Sequence, residues 1–181
     1  MKPHISFLRG INVGGKNILP MKSLSALFEQ CGASQVVTYI QSGNVVFALD
    51  DALQLPTVEA AVVAQIQSQF GFAPAMLSFS LAELEHAIDH SPYDAEQCDP
   101  ATLHYGFLAQ QPDAHDLEKM HSLRKDSEQF ELSDRVFYLS APEGIGRSKL
   151  AASAERCIGV AMTMRNFKTV MRVREIARGL L

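Results

Sequence analysis

Hydrophobic periodicity changes in the same order twice along this chain, and that order restricts its fold more than any other feature. His4–Arg9 reads as a buried strand with Ile5 and Phe7 on one face. Pro20 suits the first turn of a helix, Leu24, Leu27 and Phe28 follow at helical spacing, and Gly32 stands at the expected stop. Gln35–Gln41 and Asn44–Leu49 are β-branched and aromatic and join through Ser42-Gly43, which predicts a hairpin. Thr57 is expected to cap a helix over Val58–Phe70 that ends at Gly71, and Met76–Phe79 is a short strand. The order is βαββαβ, the split-βαβ pattern.

Ser80 and Glu83 then form a capping box for a helix reaching about His90, where Pro92 stops it. After Asp94–Pro100, polar and acidic, the order returns. Thr102–Ala109 is a strand, Asp113–Arg124 a helix, and Gln129–Leu132 with Arg135–Ser140 a second hairpin across Ser133-Asp134. Ser148–Ile158 is a helix, Val160–Thr163 a last short strand and Phe167–Leu180 a C-terminal helix. The expected class is therefore α+β: two tandem ferredoxin-like halves with antiparallel sheets and a terminal helix. The halves are placed at residues 1–92 and 101–181, with a linker at 93–100.

Composition narrows the function classes. With 47% hydrophobic and 20% charged residues the chain has the balance of a soluble globular protein, and no apolar run approaches a membrane span. Cys31, Cys98 and Cys157 are odd in number, far apart and without a Cys-x-x-Cys pair, which argues against a disulfide framework or thiolate zinc site and for a reducing cytoplasm. The net charge of −4 is uneven. Residues 147–181 hold eight Lys and Arg against Glu155 and Glu175, so the acidic excess lies upstream. A basic tail suits either an anionic partner or the protein's own acidic part.

Four segments carry the candidate chemistry. The first is Leu8–Asn17, in which Gly10, Gly14 and Gly15 leave bare backbone beside Arg9, Asn12, Lys16 and Asn17. Its Gly10-x4-Gly15-Lys16 spacing approaches a P-loop, but Asn17 replaces the magnesium-binding Ser or Thr, and Pro20 would fall in the second turn of a P-loop helix. A looser anion nest survives both objections. The second segment, Gln41-Ser42-Gly43-Asn44, is a hairpin turn expected to bring Gln41, Ser42 and Asn44 to the same pocket, because the first and third strands of a split-βαβ sheet are neighbours. The third, Gly144-Ile145-Gly146-Arg147-Ser148-Lys149, is either a second anion loop at Gly146, Arg147, Ser148 and Lys149 or a plain N-cap at Ser148. In the fourth, Thr163–Asn166, Asn166 caps the last helix, and Arg165 is the residue expected to reach a ligand or the other half.

These segments, together with Thr38–Phe47 and Thr163-x-Arg165-Asn166-x-x-Thr169, resemble the motifs of a bacterial domain-of-unknown-function family, number sixteen ninety-seven. The resemblance spans nearly the whole chain. It implies a small cytoplasmic protein of tandem ferredoxin-like halves and brings no catalytic residues. Phe167 stands where Trp is frequent, and Ser91-Pro92-Tyr93 where an Asn-Pro-aromatic run is common.

The functional expectation is binding of a small anionic, phosphate-bearing or nucleotide-like metabolite at loop 9–17 and hairpin 41–44. The ligand set is Arg9, Gly10, Asn12, Gly14, Gly15, Lys16, Asn17, Gln41, Ser42, Asn44, Arg165 and Asn166. Two alternatives stand beside it. One is binding of RNA or single-stranded nucleic acid through a sheet face bearing Tyr39 and Phe47 and through the basic C-terminal helix, although the RNP1 pattern is absent and the net charge is negative. The other is a non-enzymatic interaction module. Ser42 lacks a nucleophile elbow, and no general base stands out. His86 and His90 have one-turn metal spacing without a third ligand. No cofactor, metal or membrane partner is expected.

Overall fold

The computed structural model describes residues 1–94 and 98–181. The expected linker at 93–100 thus lies partly outside the described residues. Among the described residues, fifteen elements build two four-stranded antiparallel sheets, each carrying helices. The chain groups into two units, Met1–His86 with Arg172–Leu181, and Ala87–Met171.

In the first unit the strands are β1 (Lys2–Arg9), β2 (Ser34–Tyr39), β3 (Asn44–Leu49) and β4 (Ala75–Ser80), ordered β2-β3-β1-β4. Helices α1 (Met21–Gln30) and α2 (Leu55–Phe70) connect them, and α3 (Leu81–Asp89) follows β4. β1 pairs antiparallel with β3, with Phe7 opposite Asn44, and with β4, with Ser6 opposite Ser78. β3 is buried at every residue, so it reads as a continuous apolar run rather than an alternating one. Edge strand β2 carries a register shift between Ser34 and Val37, where Gln35 takes φ 51. Such a bulge blunts an edge against further pairing.

Helix ends follow the chemistry of their residues, with two departures. Pro20 is the N-cap of α1, in extended backbone. α2 starts three residues before the expected Val58, with Gln54 as N-cap and Pro56 in the first turn, where its missing N–H costs nothing. Thr57 therefore lies inside the helix rather than capping it. Gly71 closes α2 at φ 81, and the Ser80–Glu83 box forms in full: the Ser80 amide donates to Glu83 Oε2 at 2.8 Å, and the Glu83 amide to Ser80 Oγ at 3.2 Å. The core under the sheet includes Leu8, Leu24, Phe28, Val45, Phe47 and Ile66.

The second unit repeats the plan with β5 (Leu103–Leu108), α4 (Leu117–Leu123), β6 (Gln129–Ser133), β7 (Val136–Ser140), α5 (Lys149–Ile158) and β8 (Met162–Asn166), ordered β6-β7-β5-β8. α4 is shorter than expected because Asp116 caps it, accepting from the Lys119 amide at 2.8 Å. The core centres on Leu108, Phe137, Leu139, Leu150, Ile158 and Met162. The terminal helix α6 (Phe167–Arg178) begins in this unit, and its last residues group with the first. There Arg178 holds Glu85 of α3 at 2.6 Å.

The central strands β1 and β5 correspond closely. His4, Phe7 and Leu8 match His104, Phe107 and Leu108 in place. Each histidine lies opposite the residue that caps the next helix, Ser80 for His4 and Asn166 for His104. Burial lowers the pKa of both imidazoles. Between them the strands differ: Ser6 faces Ser78, whereas Gly106 faces Met164. Gly106 is required there, since a Cβ would run into Met162.

Candidate functional site

The glycine stretch after β1 folds into a small hairpin of its own. Gly14 (φ 58) and Gly15 (φ 73) form the centre of a type I′ turn, which demands positive φ at both positions. The turn is closed by the Lys16 amide donating to Val13 O at 3.0 Å, and the ring below it by the Asn12 amide donating to Asn17 O at 3.1 Å. Asn12 (φ 55) and Asn17 (φ 52) are also left-handed, a conformation that asparagine tolerates better than most residues.

The asparagine side chains hold the frame. Asn17 Nδ2 donates to Gly10 O at 2.9 Å. Asn12 makes three bonds: Nδ2 to Leu19 O at 2.9 Å and to Gln41 O at 3.0 Å, and Oδ1 from the Leu19 amide at 2.8 Å. Its side chain thus ties loop 10–19 to hairpin 41–44. Two further features strengthen the tie: the Leu8 amide donates to Gly43 O at 2.8 Å, and a Cβ on Gly43 would lie 2.8 Å from Leu8 Cβ. Ile11 and Leu19 anchor the base in the core, while residues 13–18 are exposed.

The sequence-predicted site residues divide into groups. Gly10, Gly14, Gly15, Lys16 and Asn17 are on the exposed hairpin, and Gln41 and Ser42 are exposed too, with Gln41 joined to the hairpin's base through Asn12. Among the described residues the amides of Gly14, Gly15 and Asn17 donate to no internal partner, and Lys16 makes no ion pair. Arg9 is exposed but engaged within the protein. Asn44 is fully buried, and its Nδ2 donates to Tyr39 O and Ser42 Oγ, both at 3.0 Å. Its amide shapes the hairpin from inside rather than facing outward. The nucleic-acid alternative loses one support: Phe47 is buried, its ring 4.9 Å from Phe28.

Arg165 and Asn166 belong to the second unit. Arg165 lies opposite Tyr105, and desolvation lowers its guanidinium pKa to about 10. Asn166 caps α6 by accepting from the Lys168 amide at 2.9 Å, and its Nδ2 reaches Ala101 O at 2.8 Å. On that helix Arg172 pairs with Glu175 at 2.9 Å.

The second glycine loop makes a single 3-10 turn over Ile145–Arg147, with Gly146, Arg147 and Lys149 exposed. Ser148 is buried and caps α5 through its Oγ, which accepts from the Ala151 amide at 3.0 Å. Ser148→Ala is expected to lower stability by about 1 kcal/mol in urea denaturation, the usual worth of a serine cap.

One polar group escaped the reading of the sequence. Glu59 of α2 is half-buried, and desolvation pushes its carboxyl pKa above the ordinary value, with the nearby Ser78 hydroxyl acting against that shift. Its only sequence signal is an acid one turn from Leu55 and Val63, on the flank of the apolar stripe. Among the described residues no His, Cys, Asp and Glu cluster suits a metal ion, and no helix is long and apolar enough to cross a membrane.

A family model described as a protein of unknown function, DUF1697, matches residues 1–138. A solved structure described as conserved bacterial protein SP0830 from Streptococcus pneumoniae is similar at a TM-score of 0.67 and 21% identity, covering 97% of this chain and 98% of that one. No curated protein matches the chain.

Proposed function

The chain belongs to the DUF1697 family of proteins of unknown function, and on that premise we propose that its glycine hairpin binds a small anionic metabolite. The carrying observation is the exposed I′ turn. The amides of Gly14, Gly15 and Asn17, which have no internal partner among the described residues, flank in sequence a lysine that no carboxylate neutralises there. A phosphate or carboxylate at this tip would gain charge-assisted bonds from groups already held in place. The frame is set by Asn12 and Asn17 before any ligand arrives, so little ordering entropy opposes binding. Gln41, joined to Asn12 at the base of the hairpin, and its neighbour Ser42 are exposed and would contact the remainder of the ligand. The loop is not a P-loop: α1 begins only at Met21, six residues beyond Gly15.

Amide NMR titration with inorganic phosphate and nucleoside phosphates tests this reading. The expected result is movement of the Gly14, Gly15, Lys16 and Asn17 signals. A hundredfold excess over Kd is expected to raise Tm by roughly 5–10 °C. Lys16→Ala is expected to weaken binding about tenfold, and Lys22→Ala to leave it unchanged. Hairpin amides that stay still under roughly millimolar anion would overturn the proposal.

A further inference from the structure

Val13, Ile18 and Ile40 are large aliphatic residues left 67%, 56% and 51% exposed. Each lies within one residue of a bond made by Asn12. Val13 follows Asn12 and pairs with Lys16 across the turn. Ile18 stands between Asn17 and Leu19, both bonded to Asn12, and Ile40 precedes Gln41, whose carbonyl accepts from Asn12 Nδ2. Single exposed apolar residues are ordinary on a surface, but three on one rigid frame are the pattern of an interaction site. The local charge is one-sided as well. Before Asp50 the sequence has Lys2, Arg9, Lys16 and Lys22 against one carboxylate side chain, Glu29. Glu29 is at the far end of α1, about 12 Å along the helix from Met21.

The fold does not require these residues. In the second unit the Leu108 amide donates to Arg135 O at 2.9 Å, the counterpart of the bond from Leu8 to Gly43. In both units the residue directly after the first hairpin strand is left-handed: Ile40 at φ 49 after β2, and Asp134 at φ 50 after β6. Aspartate tolerates that backbone, whereas a β-branched side chain is strained by it. The loop after β5, residues 109–116, holds no large aliphatic residue and carries Asp113 and Asp116. The first unit thus sets apolar groups and a lysine where the second sets acids, and Ile40 gains neither burial nor backbone ease from its place. We propose that the anion taken by the hairpin is the phosphate of an aliphatic ester, its charge on Lys16 and the tip amides and its chain on Val13, Ile18 and Ile40. This rests on the anion reading above and names the ligand class. Inorganic phosphate would leave the three side chains in water, and a neutral aliphatic ligand would leave Lys16 and the amides unused.

The test titrates the full chain with methyl phosphate, with n-hexyl phosphate below its micelle concentration and with 1-hexanol, read on the amide NMR signals of Gly14, Gly15, Lys16 and Asn17. Hexyl phosphate is expected to bind about tenfold more tightly than methyl phosphate, the gain from burying about two methylenes, and hexanol more weakly than hexyl phosphate. Val13→Ser and Ile40→Asn are each expected to cut the hexyl preference to about threefold or less, whereas Lys16→Ala should weaken both esters and keep it. Ile40→Asn relieves the backbone and is expected to fold at least as stably as the parent, so a lost preference there is not a folding defect. Equal affinity for the two esters in the parent, a preference that survives in both apolar variants, or hexanol binding as tightly as hexyl phosphate would overturn the inference. Methyl phosphate still moving the hairpin amides would then leave the anion reading standing. Amides that stay still with both esters would overturn the two together.

Discussion

Phe47→Ala is expected to lower the unfolding free energy by about 3–5 kcal/mol, the range for truncating a buried aromatic, and Tm by roughly 10 °C or more. The ring has no exposed surface. It packs 4.9 Å from Phe28 of α1 and 5.9 Å from His4 of β1, so its removal opens a cavity between the helices and the sheet. The result also bears on function. A base-stacking aromatic on an open sheet face would lose nucleic-acid affinity on truncation while stability hardly moved. Urea denaturation of the variant separates these outcomes, and a change under about 0.5 kcal/mol would return Phe47 to the surface.

Phe47 shows where reading the sequence worked and where it stopped. Asn44–Leu49 is recognisable as a strand to the residue, because β-branched and aromatic composition between turn residues is a local signal. Which face of that strand meets water is not local. It depends on β3 lying inside the sheet between β2 and β1, and every one of its positions is buried. Caps behaved like strands. The Ser80–Glu83 box, the Ser148 cap and the Gly71 stop are each complete within four residues and were legible. The start of α2 was misplaced because both Pro56 and Thr57 carry start signals, and the proline, one residue earlier, prevailed.

Distance in sequence set the limit for the remainder. The last turns of α6 group with the first unit through contacts such as Glu85 with Arg178, 93 residues apart, and no periodicity encodes such a pairing. The nearness of loop 9–17 to hairpin 41–44 was legible from strand order alone. The residue responsible for the join was not. Asn12 looks in the sequence like a ligand amide, as do Asn17 and Asn44, yet all three donate to backbone carbonyls. Asparagine suits both roles, since it tolerates left-handed backbone and carries a donor beside an acceptor. The Ser6–Ser78 hydroxyl pair joins β1 and β4, and each of its members is unremarkable among its own neighbours.

Replacing Asn12 is therefore expected to affect the frame before it affects any ligand. In Asn12→Ala three hydrogen bonds vanish. The amide of Leu19, a residue with no exposed surface, loses its acceptor, which by itself costs about 1–3 kcal/mol. Alanine must also hold φ near 55, where a Cβ adds roughly 1 kcal/mol that asparagine partly avoids. The total is expected at about 2–4 kcal/mol in urea denaturation, with Tm lower by roughly 5–10 °C. Two companion variants isolate the cause. Asn12→Gly removes the backbone strain and is expected to recover only that smaller share. Asn12→Asp keeps an acceptor for Leu19 but sets a carboxylate against the carbonyl oxygens of Leu19 and Gln41, and is expected to be no more stable than Asn12→Ala. In all three the hairpin tip loses its fixed position, so phosphate affinity should fall even though Lys16 and the glycines remain. Parent-like stability in Asn12→Ala, or an aspartate variant more stable than the alanine one, would show that loop 10–19 is held by its buried Ile11 and Leu19 and not by this side chain.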